Sequence, residues 1–300
     1  MSFFSTSNKT GAFISIALIV IVWGSASSVT KYSVETIPAY CFAFLRNAVA
    51  SVCMLPFFIY QRKKHPSLPL PPFRKMVWMG LTGITFFYLF FNIALYFTTA
   101  ALGALIQGFI PVAIILLAIF FLKEKIRNWQ IAGVALSVIG VVMLGFTGNF
   151  PGARDAILGN TLMVCAVLCW AVYTILSKSL RDYDSIYLAT LGTWIGTVGL
   201  LPAMIIEGWG KEIPVITWQG WVSIIYLGLV SSAICYILYN RVVKILPAVQ
   251  VGNFMNLDPV VGAIIAVLVL HDKVTMIQVI GGLLVLGGVV LTSGKSKAVH

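Results

Sequence analysis

The chain has 300 residues, of which 60% are hydrophobic and 10% charged, and its formal net charge is +11. Soluble domains carry about 25% charged residues, so a water-solvated globule is excluded and lipid is the expected solvent for most of the outside. Without a basic, aromatic-interleaved soluble domain the positive charge argues against nucleic acid as a partner and fits basic loops on the cytoplasmic face of a membrane protein.

Stretches of about 20 mostly apolar residues cross a bilayer as helices, because each backbone group must be satisfied within the segment. Such spans are predicted at 11–31, 37–60, 76–97, 100–122, 129–147, 158–178, 186–206, 219–240, 247–270 and 275–293. The first mimics a signal peptide, with Lys9, an apolar run to Trp23 and small residues from Gly24 to Ser27. The same pattern recurs around Trp170, in mid-chain, so retention as a span is expected. The second span carries Arg46, which cannot lose its charge and needs a carboxylate, carbonyls or a substrate anion; Asn47 and Asp258 are the candidate partners. Pro66, Pro69, Pro71 and Pro72 make 61–75 a stiff linker.

Tyr88 and Asn92 share one face of the third span, as Tyr236 and Asn240 share one face of the eighth. Aromatic walls with amides suit a solute that has an apolar part and a polar end, so Tyr88, Asn92 and Tyr236 are cavity candidates. Tyr239 and Asn240, near the end of the eighth span, read as an interfacial anchor. Gln107 is the polar candidate of the fourth span. Trp23 and Trp170 lie well inside their spans, where an indole needs a partner for its N–H or a cavity to line. In the ninth span Gln250, Asn253 and Asn256 form a polar stripe, placed toward the cavity because lipid would not solvate it. Asp258 follows near mid-depth, beside Pro259, which is expected to kink the helix. Such a carboxylate is a candidate contact for a substrate amine or a proton-coupling group, or else a structural acceptor at the kink. Lys31 and Lys178 are read as anchors at the two membrane faces.

Placing the N-terminus inside puts fifteen Lys and Arg residues in cytoplasmic segments and four outside, so both termini are expected in the cytoplasm. The second half echoes the first at an offset of 148: Leu122-Lys123-Glu124-Lys125-Ile126 matches Leu270-His271-Asp272-Lys273-Val274, and Gln130, Gly133 and Pro111 match Gln278, Gly281 and Pro259. Five spans per copy is odd, so the second copy enters from the opposite side. The reading is an all-α membrane protein of ten transmembrane helices, built as two inverted five-helix repeats, 1–147 and 148–300, with a substrate site near the midplane between them.

These residues resemble the drug/metabolite transporter superfamily, specifically its EamA-type ten-helix family. The resemblance covers nearly the whole chain. It is carried by Trp23-Gly24 with Lys31, Arg46, the Leu122–Ile126 motif followed by Gln130 and Gly133, Trp170-Ala171 with Lys178, and Asp258-Pro259 leading to Asp272. His271-Asp272 stands where the family often has Gly-Glu. The resemblance implies a carrier of an amino acid or related metabolite, commonly an exporter, in the plasma (inner) membrane, and leaves the substrate open.

Catalysis is not expected, since the sequence offers no nucleophile–base arrangement, phosphate loop or carboxylate pair. Cys165 and Cys169 share a helix face with no further ligand nearby, so no metal and no cofactor is expected. Lacking a Gly-rich loop ending in Lys-Ser or Lys-Thr, the chain would work from a gradient or by facilitated diffusion. The rivals are a lipid translocase, a membrane-embedded enzyme and a passive channel. The expected partners are a small-molecule substrate and the bilayer, with direction and oligomeric state open.

Overall fold

The computed structural model describes residues 9–97, 103, 106–124, 126–145, 153–208, 215–262, 264 and 276–293. Among them the chain is helical with no strand. The helices are α1 (Lys9–Val34), α2 (Ala39–Lys64), α3 (Phe73–Phe97), α4 (Ile110–Leu122), α5 (Asn128–Gly145), α6 (Ala153–Ser179), α7 (Ser185–Gly208), α8 (Trp218–Ile245), α9 (Ala248–Met255) and α10 (Met276–Ser293). Six of them, α1, α2, α3, α6, α7 and α8, are long and apolar enough to cross a membrane, and α4, α5 and α10 contain shorter apolar helices. The exterior is apolar, with Val52, Phe120, Ile206 and Val290 each more than 70% exposed, as lipid solvation requires. The chain is a multi-pass membrane protein. Residues 265–275, which hold the second copy of the Leu122–Ile126 motif, lie outside the described residues, as do Lys125 and the side chains of Lys31, Asp155 and Gln278.

Helix starts follow local chemistry. Pro38, Pro72 and Pro247 precede α2, α3 and α9, where a missing N–H costs nothing. Thr217 caps α8, its hydroxyl accepting from the Gly220 N–H at 3.2 Å. α4 ends where Lys123 turns left-handed, with φ of 53°. α9 stops at Met255, the residue whose carbonyl Pro259 cannot satisfy; a turn at Asn256 and Leu257 follows before helix resumes at Asp258.

The packing pairs α2 with α7, α4 with α9 and α5 with α10. α3 lies on α6 as α8 lies on α1, and α2 touches α8 as α7 touches α3. This set of contacts is unchanged when α1–α5 are exchanged for α6–α10. The α5–α10 crossing is close. A methyl at Gly133 would meet the Gly288 carbonyl oxygen at 2.7 Å, and one at Gly140 the Gly281 oxygen at 2.5 Å. Gly133 and Gly281, like Gly140 and Gly288, stand 148 apart, so the two contacts exchange with each other. Between them the Ser137 hydroxyl donates to the Val285 carbonyl at 3.4 Å. Small residues let backbones approach where no hydrophobic force separates helix from lipid.

Candidate functional site

Two helices of the core are locally widened into π-helical turns, Leu81–Phe86 in α3 and Leu227–Ile234 in α8. Such turns loosen the backbone ladder and concentrate at functional sites. Here each offers a carbonyl to a side chain from elsewhere. The Tyr236 hydroxyl donates to the Gly83 carbonyl at 2.9 Å, and the Trp23 indole N–H to the Ser231 carbonyl at 2.9 Å. Gly83 and Ser231 are again 148 apart. Gly83 must be small because Tyr173 packs where its side chain would be. Gly24 likewise lets α1 reach the segment after α9, where a methyl would meet the Asp258 carbonyl at 2.8 Å. The Trp23-Gly24 pair thus has two uses: the indole is bonded inward and the glycine admits its neighbour.

These contacts surround a central cavity of about 70 Å³. Trp23, Tyr88, Gln107, Trp170, Tyr236, Arg46 and Asp258 line it, together with Thr30, Phe87, Phe91, Ser231 and Met255. Trp23 and Trp170 meet edge to face with centroids 5.1 Å apart, and Phe87 lies 5.2 Å from Trp170. Arg46 is 3% exposed. Its partners are neither Asn47 nor Asp258: it donates to the hydroxyls of Thr30, Ser231 and Ser232 and lies over the Tyr88 ring. The Asn47 amide turns back to the Ala43 carbonyl at 2.8 Å.

Four sequence candidates are placed away from this cavity. Asn92 donates to the Ala39 carbonyl at 3.0 Å and ties α3 to the start of α2. Gln250 donates to the Thr292 carbonyl at 2.9 Å, and Asn253 to the Gly288 carbonyl and the Thr292 hydroxyl at 3.1 and 2.8 Å. The polar stripe of α9 therefore faces α10 and binds helix to helix. Asn256 is buried in the turn after α9, with neither amide atom hydrogen-bonded. The stripe avoids lipid as expected, but a neighbouring helix satisfies that demand as well as a cavity does.

One side of the cavity is closed. Trp170 and Tyr236 are followed along α6 and α8 by Tyr173, Thr174 and Ser177 and by Tyr239 and Asn240, all buried. Tyr239 shares a hydrogen bond with Thr174 at 2.7 Å, Asn240 donates to the Tyr173 hydroxyl at 2.7 Å, and Ser177 donates to Asn240 at 2.7 Å. Tyr239 and Asn240 are thus core residues and not an interfacial anchor. Eight residues on from Trp170 and Tyr236, about 12 Å along each helix, stand Lys178 and Lys244. The Lys178 ammonium donates to the carbonyls of Val243 and Leu246 at 2.8 and 2.6 Å, capping the end of α8, and Lys244 donates to the Tyr183 carbonyl. Lys178 is therefore a cross-helix cap and more than a surface anchor. A second, wider cavity of about 340 Å³ opens here among Glu124, Arg127, Gln130, Lys178, Arg181 and Lys244. The aromatic and amide plug separates the two cavities.

Sequence reasoning missed Thr30, Ser231 and Ser232. Their signal is faint: two serines in the apolar run Leu227–Ile234, opposite a buried arginine that needs partners. It also missed Glu207, whose carboxylate accepts the Tyr40 and Cys41 backbone N–H groups at 2.8 and 2.9 Å and so ties α7 to the first turn of α2.

The chain matches the model of the EamA-like transporter family twice, over residues 10–146 and 157–294. It belongs to that family. An uncharacterized transporter, YetK, of Bacillus subtilis (strain 168) is 28% identical over 96% of this chain and 88% of its own length. An uncharacterized transporter of Archaeoglobus fulgidus is 27% identical over 93% of this chain and 96% of its own. The WAT1-related protein At5g07050 of Arabidopsis thaliana is 25% identical over 94% and 80%. A protein of known crystal structure shares the fold, with a TM-score of 0.79 at 17% identity over 95% of this chain and 97% of that one. In this EamA-like chain Trp23, Arg46 and Asp258 all line the central cavity.

Proposed function

We propose that the protein is a secondary carrier that exports a small organic solute, such as an amino acid or related metabolite, across the plasma membrane by alternating access. In this reading ten helices form two inverted five-helix repeats, 1–147 and 148–300, with both termini in the cytoplasm. The contact set that survives exchange of α1–α5 for α6–α10, and the glycine contacts related by the 148-residue offset, support the inverted arrangement. Two halves of like structure can exchange conformations at little cost, which gives the inward- and outward-open states similar energies.

The observation that carries the reading is the aromatic cavity sealed on one side by the Tyr173–Tyr239–Asn240 plug. The wider cavity beyond the plug bears Arg127, Lys178, Arg181 and Lys244, the sign expected of a cytoplasmic mouth. Opening the plug and closing the opposite end would pass the solute from one side to the other. Counterflow tests this. Proteoliposomes preloaded with unlabelled amino acids should transiently concentrate the matching labelled one above equilibrium, with saturation. Uptake that is linear in concentration, or no faster than in empty liposomes, would rule out the carrier.

A further inference from the structure

The wider cavity beyond the plug, of about 340 Å³, is lined by Arg127, Lys178, Arg181 and Lys244, with Glu124 as its carboxylate. Four cations against one anion give this single hollow a formal charge of +3. Asp182 and Asp184 act on Lys244 from outside the lining. Asp184 is already bonded, accepting from the Gln61 amide at 3.0 Å and from the Ile186 and Tyr187 N–H groups at 2.8 and 3.3 Å. Asp182 is exposed to solvent. Retention of basic residues on the cytoplasmic side accounts for their number but not for their convergence, since any outward direction would satisfy it.

The lining offers mostly donors. Lys178 uses two of its three N–H groups on the Val243 and Leu246 carbonyls, and Lys244 uses one on the Tyr183 carbonyl. The Arg181 guanidinium, exposed in the turn after α6, makes no hydrogen bond to a described residue. Gln130 accepts the Arg127 backbone N–H at 3.0 Å through its Oε1, which leaves its NH2 group for other partners. The Arg127 guanidinium is braced over the Trp129 ring at 4.7 Å. The N-termini of α5 and α9 also reach this hollow, through Arg127 and Trp129 and through Pro247 and Val249, and their dipoles add to the positive field. The negative end of α8 is covered by Lys178.

We infer that this hollow binds a phosphate group, as the headgroup of an acidic lipid or as a soluble phosphate. The inference goes beyond the carrier reading and does not depend on it. The donors arrive from three directions: the start of α5, the end of α6 and the end of α8. A carboxylate presents two oxygens in one plane, whereas the oxygens of a phosphate point to several sides and can accept from all three. Arginine serves phosphate as a paired donor and lysine as a point charge, and the hollow holds both. Basic pockets between membrane helices at the cytoplasmic face take lipid headgroups on the same grounds. Ile126, Trp129 and Ile245 supply an apolar part of the lining, fitted to the organic group of a phosphate ester. α5 belongs to the first half of the chain and α6 and α8 to the second. A phosphate here therefore ties the halves together at the end that the plug closes.

The test is a thermal-shift titration of the full-length protein, washed free of native lipid, in dodecyl maltoside at constant ionic strength. Sodium phosphate is compared with sodium chloride. Phosphatidylglycerol is compared with phosphatidylcholine of the same chains, whose choline cation the basic hollow repels. At least one phosphate probe should raise the melting temperature above its control. A shift from phosphatidylglycerol alone assigns the site to a lipid; one from inorganic phosphate as well assigns it to the phosphate itself. In Arg181→Glu the concentration giving half of the shift should rise about tenfold or more, as loss of one charge-assisted hydrogen bond requires. Arg74→Glu, at an exposed basic residue of α3 outside the hollow, should leave it unchanged. If Arg181→Glu does not fold, Arg181→Gln is read in the same way. No shift from either probe beyond its control, or a shift that Arg181→Glu leaves intact, or one that both variants weaken equally, would overturn the inference. No arm of the test measures transport, so its failure leaves the carrier reading standing, and a failure of counterflow leaves this site standing.

Discussion

Gly140→Ala should loosen the protein by an amount that the α5–α10 crossing sets. A methyl at this position would lie 2.5 Å from the Gly281 carbonyl oxygen and 2.7 Å from both the Val285 backbone N and its Cγ2. An ordinary carbon–oxygen contact is about 3.3–3.6 Å, so the helices must separate by close to 1 Å. No side chain can swing away, because two of the three obstacles are backbone atoms. Overpacking of this kind costs about 1–3 kcal/mol, and the Ser137–Val285 hydrogen bond, already 3.4 Å, would be lost as well. Melting in detergent, followed by intrinsic fluorescence, should fall by roughly 2–12 °C at about 2–4 °C per kcal/mol. Gly133→Ala and Gly288→Ala should each do the same, and the double variant should cost less than their sum, because the two residues share one contact. Val142→Ala, on the exposed face of α5, is the control and should change little. A melting temperature for Gly140→Ala within 1 °C of the parent would refute the close crossing and the matched contacts derived from it.

Three further changes probe the ends of helices. Lys178→Met removes a charged donor from two carbonyls at the end of α8 and should cost about 2 kcal/mol in the same melting assay, with Lys178→Arg recovering part of it. Lys123→Gly should raise stability by about 1 kcal/mol, because Lys123 holds a left-handed conformation that glycine adopts without strain; a fall would show that its side chain contributes more than its backbone loses. Glu207→Ala should cost about 1 kcal/mol by exposing two N–H groups of α2, and Glu207→Gln, which keeps an acceptor, should lose much less.

Helices were legible in the sequence because a bilayer demands long apolar runs, and runs such as Ala39–Lys64 and Trp218–Ile245 follow directly from that demand. The family was legible from Trp23-Gly24, Arg46 and Asp258-Pro259. The polar stripe of α9 shows where such reasoning ends. Spacing places Gln250 and Asn253 on one face, but the neighbour that face meets is set by the rotation of the whole helix in the bundle, and that neighbour proved to be Thr292 on α10. Asn92 behaves similarly: it shares a face with Tyr88, yet one turn on it passes the cavity and meets Ala39. Arg46 gave the clearest limit. Its charge announced a need for partners, but three hydroxyls and a ring met it, and serine and threonine are too common in membrane helices to be singled out beforehand.

The measurement that bears most directly on the account is blockade of the central cavity. Ala26 lines it and is 8% exposed. In a protein whose five cysteines are replaced, Ala26→Cys should react with a bulky methanethiosulfonate, lose counterflow, and be protected from both by saturating solute. Full counterflow after complete modification would mean that the solute does not pass between Trp23, Trp170 and Arg46, and the carrier mechanism built on that cavity would be wrong.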